Sequence, residues 1–399
     1  MPQLYGRKVT RGQLLQRVGK IEQVGGVRRY TLSEGREKGV EVIQFRTGTG
    51  FAFEVLPGRG MDIGLAEHCG RALAWYSATG VGSPELFDNR GLAWLRSFFG
   101  GLVTTCGLSS AGAPTLDVLP QDEEAVVAKL KEAMLGETDA DGLARALAAY
   151  RIMEQQGATG DLLGLHGRVS NTRATNVCAD GEWDGDDYVM YASGKVREAV
   201  VFRENIVLHR KVTARLGENR LTIEDSVTNE SHHTVPHAML YHINGGFPAI
   251  DAGARLVSPT RKATPRDEAA VTEADRYAEV LPPTPEFAER CYYHDIAPDA
   301  DGFAMAALVN PGLAFGFYVR YRQDTLPVFN EWKQCGEGDY VIGLEPANCG
   351  VEGREIDRAR GDLQFLEPAE TRDYFVEIGV LDGADEVNAF EVKAKAALG

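Results

Sequence analysis

The chain has 399 residues, with 42 Lys or Arg against 58 Asp or Glu, so its formal net charge is −16. This acidic balance, without any basic run interleaved with aromatic residues, argues against a nucleic-acid partner, because binding to a polyanion depends on clustered cationic charge. No stretch approaches the roughly 20 consecutive apolar residues of a membrane span, and the N-terminus lacks the apolar core of an export signal. We therefore expect a cytoplasmic protein without membrane contact.

The cysteines are scattered along the chain and include no C-x-x-C pair. They are Cys69, Cys106, Cys178, Cys291, Cys335 and Cys349. This spacing is not typical of a disulfide scaffold or of a zinc site, and it fits a reducing compartment, although the even number leaves bridges open.

In chain order, the predicted elements are mostly strands. Apolar and polar residues alternate in "VEVIQFR" (40–46) and "FAFEVLPGRG" (51–60), and a long run at 188–231 contains several strands separated by Gly- and Asn-containing turns. Further strands are predicted in "LAFGFYVRY" (313–321), "DYVIGLEP" (339–346), "LQFLEP" (363–368) and "DYFVEIGVL" (373–381). Numerous strands with short connections, and no repeated strand–helix alternation, predict a mainly β fold: a large antiparallel sandwich forming a single domain over 1–399.

Two segments depart from this pattern. Residues 121–157 carry apolar residues at helical spacing, interrupted by Gly136, and predict a helical hairpin inserted between strands. The default role of such an insertion is to cover a sheet edge or to contact a second copy in a homo-oligomer, and a lid over a site is the alternative. Residues 251–302 are rich in Pro and charge, so we predict a long surface excursion there.

Four of the eight histidines lie in "ESHHTVPHAMLYHINGGFP" (230–248): His232, His233, His237 and His242. In an extended segment these side chains are too far apart, or point to opposite faces, to hold one metal ion, and we predict no metal site. The first two lie in a polar turn, and the third is predicted to be half-buried with a satisfied ring nitrogen. The fourth stands where an apolar strand opens into a glycine-rich turn, which makes it a candidate for chemistry.

Three further segments, "LPGRGMDIG" (56–64), "GLHGRVSN" (164–171) and "YVIGLEPANCG" (340–350), occur in this order around the histidine-rich stretch. Together with residues 73–112 they resemble the galactose mutarotase-like superfamily of aldose 1-epimerases, and in particular its DUF4432-type branch. The resemblance spans roughly residues 40 to 380, apart from the predicted helical insertion. It implies a β-supersandwich that binds a sugar.

The resemblance also implies roles for individual residues. His166 of "LHGR" matches a histidine that binds and orients a sugar hydroxyl, and His242 of "YHINGG" matches the general acid. Glu345 of "GLEP" matches the general base, and Arg59 of "GRGMDIG" matches an arginine that contacts sugar hydroxyls. Where the well-studied mutarotases carry an aromatic pair after the catalytic histidine, this chain has "INGGFP" (243–248), so the substrate-contacting wall must differ there.

Other pocket candidates lie close to these motifs. They are Asp62, Arg168, Asn244, Trp332 and Lys333. Asp62 is placed to pair with Arg59 across a glycine turn, and Trp332 offers an apolar platform for the carbon face of a sugar. If Arg59, Arg168 and Lys333 converge, the pocket would be cationic and would favour an anionic sugar.

Exchange of sugar anomers requires one proton delivered to the ring oxygen and another removed from the anomeric hydroxyl, and His and Glu are suited to both transfers. The sequence contains no phosphate-binding glycine loop and no nucleophile elbow, so no cofactor is expected. Epimerisation at the anomeric carbon is the leading hypothesis. Two alternatives stay open: another sugar isomerisation, at C2 or on a ketose, and sugar binding without catalysis.

Overall fold

The computed structural model describes residues 1–118 and 160–398. Within them the chain forms two large antiparallel sheets, one of eight strands and one of twelve. The predicted mainly β, antiparallel sandwich is confirmed. In the same two stretches, no helix has both the length and the apolar character needed to cross a bilayer.

The smaller sheet runs, in spatial order, through β11 (Thr175–Asp184), β12 (Asp187–Ala199), β13 (Asn205–Arg215), β14 (Arg220–Asn229), β24 (Thr371–Asp382), β20 (Phe315–Arg322), β19 (Phe303–Asn310) and β16 (Arg255–Val257). The larger sheet runs through β17 (Thr260–Pro265), β18 (Arg290–Ile296), β21 (Val328–Cys335), β22 (Tyr340–Ala347), β15 (Val235–Gly245), β8 (Val103–Leu108), β6 (Asp62–His68), β5 (Phe51–Leu56), β4 (Glu41–Arg46) and β3 (Gly26–Thr31), with β7 (Arg71–Ala72) and β23 (Gln364–Leu366) as side pairings.

The remaining elements are short strand pairs and helices at the periphery. The pairs are β1 (Gln3–Leu4) with β2 (Arg7–Lys8), and β9 (Thr115–Val118) with β10 (Gly160–Leu163). The helices are α1 (Arg11–Leu15), α2 (Glu268–Val271), α3 (Arg354–Arg360) and α4 (Ala384–Ala397).

The main core lies between the inner faces of the two sheets. Strands such as β12 and β13 alternate buried and more exposed residues, as period-2 side-chain placement demands. Inner-face residues of the two sheets include Met190, Leu208, Val212, Ile223 and Val376 on one side, and Val55, Val103, Tyr241, Ile342 and Leu344 on the other. Burial of this continuous apolar surface is the main favourable term for the sandwich.

Strand β15 is buried on both faces, as are its neighbours β8 and β22 in the centre of the larger sheet. One row of its side chains (Met239, Tyr241 and Ile243) packs into the main core. The other row begins with Ala238 and Leu240, which belong to a second apolar cluster on the outer face of the larger sheet. His242 follows in that outer row, so the strand carries a titratable side chain to the outer side of the sheet.

The two segments predicted to depart from the strand pattern have different outcomes. The predicted hairpin at 121–157 lies outside the described residues. The prediction of a surface excursion at 251–302 is wrong, because β16, β17 and β18 within it pair into the two sheets. Pro and charged residues dominate the composition of this stretch and mask the short strand "RCYYHDI", whose alternate side chains are buried.

All six cysteines are free. Cys69 and Cys178 are exposed, and the other four are buried. Three of the buried thiols, Cys106, Cys291 and Cys349, belong to the second apolar cluster, where they act as small apolar side chains.

A buried ionic network joins the two sheets. Arg210 on β13 makes a bidentate contact with Asp225, at 2.9 and 2.7 Å, and its Nη1 lies 3.0 Å from Asp62 Oδ1 on β6. Asp225 also accepts a hydrogen bond from the Tyr241 hydroxyl at 2.7 Å. Desolvation raises the pKa of Asp62 to about 6, opposed by the charge of Arg210. The network therefore ties β6 and β15 of the larger sheet to the smaller one.

Replacing Arg210 by Met should destabilise the fold by about 3–5 kcal/mol, because the carboxylates of Asp62 and Asp225 would stay buried without their counter-charge. Denaturant unfolding gives the free energy of unfolding directly. Arg90→Met is the matched control, since Arg90 forms an exposed pair with Asp88 that solvent screens, and its loss should change the free energy of unfolding little. Equal losses in the two variants would contradict this account of the network.

Candidate active site

A pocket of about 800 Å³ lies on the outer face of the larger sheet. Its floor is built from side chains of β15, β18, β21 and β22 that point away from the main core: His242, Cys291, Trp332, Gln334 and Glu345. Its walls come from loops and short helices in four parts of the chain, including Trp75, Trp94, Phe98, Pro114, His166, Arg266 and Glu352. This volume is in the range of small-molecule sites.

His242 and Glu345 face each other on the pocket floor. Their strands are antiparallel neighbours, with Ile243 opposite Leu344 and Asn244 opposite Gly343, so the register places His242 opposite Glu345. His242 Nε2 lies 3.2 Å from Glu345 Oε1. Gly343 allows this contact, since a Cβ there would lie 2.9 Å from Oε1.

Burial shifts both groups towards their uncharged forms. Desolvation lowers the pKa of His242 to about 4, opposed in part by its interaction with the Asn244 side chain. Desolvation also raises the pKa of Glu345 to about 8, with Arg266 opposing the shift and Glu289 adding to it. At pH 7 the imidazole is therefore neutral and the carboxyl holds a proton, so the pair contains one transferable proton.

His166 stands at right angles to His242, with ring centroids 5.8 Å apart. Its backbone has a φ of +57°, in the left-handed region, and the following residue, Gly167, also has a positive φ. The backbone N–H of Gly112 donates to His166 Nδ1 at 3.4 Å. Desolvation lowers the pKa of this ring to about 3, so the ring is neutral. Because Nδ1 accepts a hydrogen bond, the single ring proton lies on Nε2. His166 is thus a hydrogen-bond donor for an oxygen in the pocket.

Four aromatic rings surround the two histidines. Trp94 stacks on Phe98 at 4.5 Å and lies 4.8 Å from the ring of His166. Phe98 and Trp332 contact the ring of His242, at 5.1 and 5.2 Å. Trp75 completes the wall, 5.6 Å from Phe98. These rings desolvate the acid–base groups and offer flat apolar surface to a ligand.

One side of the pocket carries an ion pair close to the floor. Arg266 Nη2 lies 2.9 Å from Glu289 Oε1, and the indole N–H of Trp332 donates to Glu289 Oε2 at 2.8 Å. Glu289 therefore fixes the orientation of Trp332 as well as that of Arg266. Both charged side chains line the pocket and shift the pKa of Glu345, with Arg266 lowering it and Glu289 raising it.

The candidates Trp332 and Lys333 point to opposite faces of β21. Trp332 lines the pocket, whereas Lys333 is completely buried and its Nζ donates to the carbonyls of Arg276 and Tyr277, at 3.0 and 3.1 Å. Adjacent strand residues cannot share one face, so only one of the two reaches the pocket. Asn244 shares the face of His242 but is buried below the lining, where its Nδ2 donates to the Gly101 carbonyl.

The other predicted binding residues also lie outside the lining. The Arg59 guanidinium is buried and donates to three backbone carbonyls, those of Gly82, Ser97 and Ser170. The predicted pairing of Arg59 with Asp62 is wrong, because Asp62 accepts from Arg210 and from Thr105 instead.

The three cations expected to converge are in different places. Arg168 lies next to the side-chain amide of Asn89, away from the pocket lining, while Arg59 and Lys333 are fully engaged elsewhere. The condition for a cationic pocket is therefore not met, and the hypothesis of an anionic sugar loses its basis. Among residues 1–118 and 160–398, the cation that lines the pocket is Arg266, paired with Glu289.

The other histidines of the histidine-rich stretch lie outside the pocket lining. His237 is buried, with Nδ1 3.0 Å from the Leu108 carbonyl and Nε2 2.6 Å from the Tyr374 hydroxyl, so both of its ring nitrogens are paired. His232 and His233 are exposed. Across residues 1–118 and 160–398, no three His, Cys, Asp or Glu side chains are grouped as metal ligands would be.

Sequence reasoning missed most of the pocket wall. Trp94 and Phe98 are four residues apart in "GLAWLRSFFGG", a spacing that places two side chains on one side of a helical turn, and this was a usable signal. Trp75 lies in the same family-like segment at 73–112. Arg266 and Glu289 lie in the stretch predicted to be a surface excursion. Charged residues in such a stretch are expected to face solvent, so the sequence did not indicate that these two line the pocket.

Comparison with known proteins agrees with this architecture. The fold is similar to those of a proposed aldose 1-epimerase from Klebsiella pneumoniae (TM-score 0.79, 21% identity, 94% of this chain and 88% of that one) and a galactose mutarotase-like protein from Clostridium acetobutylicum (0.53, 11%, 90% and 99%). It is also similar to a galactose 1-epimerase from Lactobacillus acidophilus (0.51, 15%, 90% and 99%). At these identities the likeness shows the fold alone, which is galactose mutarotase-like. No curated protein matches the sequence.

A family model, described as a domain of unknown function (DUF4432), matches residues 37–380. Since the match covers most of the sequence, the chain belongs to the DUF4432 family.

Proposed function

We propose that this protein is a carbohydrate epimerase that interconverts the anomers of a sugar or sugar derivative. The observation that carries the proposal is the contact of 3.2 Å between His242 Nε2 and Glu345 Oε1 on the floor of an aromatic-walled pocket. Acid and base are adjacent there, and a hemiacetal carbon presents its ring oxygen and its hydroxyl to them side by side. The structural likeness to proteins named as epimerases and mutarotases supports the same class of reaction.

In the proposed mechanism, His242 protonates the ring oxygen and Glu345 removes the proton of the anomeric hydroxyl. The transferable proton of the resting pair passes from the carboxyl to Nε2 across their contact, which leaves an imidazolium and a carboxylate. The bond from C1 to the ring oxygen then breaks, and the carbonyl forms. Rotation about the C1–C2 bond turns the other face of the carbonyl towards the ring oxygen. Ring closure reverses both proton transfers, so the pair returns to its starting state.

The neighbouring groups orient the substrate in this proposal. His166 donates from Nε2 to a sugar oxygen, in a neutral state that burial maintains. Trp332 packs against the carbon face of the ring, held by its hydrogen bond to Glu289. Exclusion of water by the surrounding rings strengthens each polar contact with the substrate.

Removal of either member of the pair should abolish most of the activity. We expect His242→Ala and Glu345→Ala each to slow anomer exchange by about 100-fold or more, the usual contribution of a positioned acid or base. Exchange spectroscopy by NMR measures this directly on a panel of neutral, acidic and deoxy sugars.

The matched control is His233→Ala, because His233 is exposed and outside the pocket, and it should exchange anomers at the parent rate. Circular dichroism checks that each variant is folded. A new sugar species in the spectra would indicate isomerisation at another carbon. Saturable binding of a sugar without acceleration of exchange would show a binding protein and contradict the proposal.

The pH dependence of kcat/KM should be bell-shaped, because only the singly protonated pair has both an acid and a base. Below about pH 4, His242 binds a second proton and the base is lost. Above about pH 8, Glu345 loses the only transferable proton and the acid is lost. The rate should be followed by polarimetry after correction for spontaneous exchange. A maximum confined between the ordinary pKa values of Glu and His, about 4.3 and 6.5, would contradict the role of desolvation.

A further inference from the structure

Asn330 on β21 is completely buried, and neither its side-chain nitrogen nor its side-chain oxygen has a hydrogen-bond partner among the described residues. Its side chain lies on the same strand face as that of Trp332, two residues along, and so points to the pocket side of the sheet. Buried amides are almost always paired, so an amide with both atoms unpaired requires an explanation.

The strand register places this amide beside the reacting carboxyl. Asn330 lies opposite Glu345 on β22 and opposite Tyr293 on β18. Directly opposed residues on one face of an antiparallel pair have Cβ atoms about 4.5–5.5 Å apart, within reach of a hydrogen bond between their side chains. The Tyr293 hydroxyl is already bonded, to Glu352 and to the Val351 backbone N–H, and leaves the amide available.

In the structure Glu345 makes no hydrogen bond to Asn330. Its Oε1 lies over Gly343 and contacts His242, which is its one polar partner within residues 1–118 and 160–398. The amide beside it thus lacks a partner in the resting structure and would gain one if the carboxyl rotated towards β21. A carboxylate needs donors far more than a neutral carboxyl does, because its charge is costly to bury.

We propose that Asn330 is a positioning residue whose side-chain N–H groups bind the carboxylate of Glu345 after its proton has left. The amide is held ready by the sheet, and the hydrogen bond forms as the negative charge develops. This inference rests on the proposed function, in which Glu345 is ionised during the reaction. It assigns to Asn330 the stabilisation of the ionised intermediate state, with no contact to the sugar.

Other titratable groups also face Glu345. They are His242 on β15, Arg266 and Glu289 on the pocket wall, and the thiols of Cys106, Cys291 and Cys349. Burial raises the pKa of all three thiols, so they are uncharged at neutral pH. Arg266 and Glu289 have opposite signs and are paired with each other. None of these groups lies on β21, so a donor on that strand supplies the ionised carboxylate with a hydrogen bond that they do not supply.

The test is Asn330→Leu, which removes the donor and keeps a similar volume. The pKa of Glu345 should rise by about one unit, because the ionised form loses a hydrogen bond. The alkaline limb of kcat/KM should move up with it, while kcat should fall about tenfold and KM should stay near its parent value. Asn330→Thr keeps a hydroxyl donor on a β-compatible side chain and should restore most of the parent behaviour.

Two measurements separate this inference from the proposed function. Carbon-13 labelling of glutamate carboxyls follows the titration of Glu345, identified by the resonance lost in Glu345→Gln, with or without activity. A raised pKa in Asn330→Leu without anomer exchange by the parent would support Asn330 and overturn the proposed function. An unchanged titration of Glu345 would overturn the role of Asn330 even if exchange is fast. Thr213→Val, which removes another unpaired buried polar atom on the other sheet, is the control and should leave the titration unchanged.

Discussion

The architecture depends on one constraint, the alternation of side chains along strand β15. Successive residues of this strand point to opposite faces of the sheet, and both faces are buried. Its inner row packs into the main core and, through Tyr241, joins the ionic network between the sheets. Its outer row delivers His242 to the pocket. A shift of one residue would place His242 in the apolar core and Tyr241 in the pocket. The bond from Tyr241 to Asp225 therefore fixes the register on which the site depends.

The electrostatic character of the site follows from the same burial. In water, with ordinary pKa values of about 4.3 and 6.5, a separated Glu would be ionised at pH 7 and a separated His would be largely neutral. On the pocket floor both lose their hydration, and the carboxyl keeps its proton while the imidazole stays neutral. The resting pair therefore avoids the cost of two buried charges. In the proposed mechanism the charged arrangement is reached when a substrate supplies polar atoms, and the proposed role of Asn330 is to add a donor on the side of Glu345 that faces β21.

The sequence predicted the strands and the floor of the pocket better than its walls. His242, Glu345 and Trp332 of the floor, together with His166 of the wall, were candidates from the sequence, and the structure brings them together in one pocket. Lys333 was grouped with Trp332 by proximity, although strand alternation alone separates the two side chains.

Arg59 could not be placed in the same way. Its motif resembles one that binds sugar, but its guanidinium is used by three backbone carbonyls, and only the positions of distant loops decide that. The prediction of a surface excursion at 251–302 fails because it relied on the Pro and charged residues of the stretch and missed the short strand β18 within it. Residues 121–157 lie outside the described part of the chain, and their hairpin stays a prediction.

The floor and the wall of the pocket have separate origins in the sequence. The acid–base pair is set by the register of β15 and β22, which the fold itself requires. The aromatic wall comes largely from the segment that contains Trp75, Trp94 and Phe98. This segment is distant in sequence from strands β15 and β22. It does not include the glycine-rich turn that stands in place of the aromatic pair of the mutarotases. In the proposed function, a change in that segment alters which sugar fits without disturbing the proton transfers. The likeness of fold does not by itself settle the chemistry. In the proposed function, the His242–Glu345 pair determines the type of reaction, and the wall with the Arg266–Glu289 pair determines which sugar is bound.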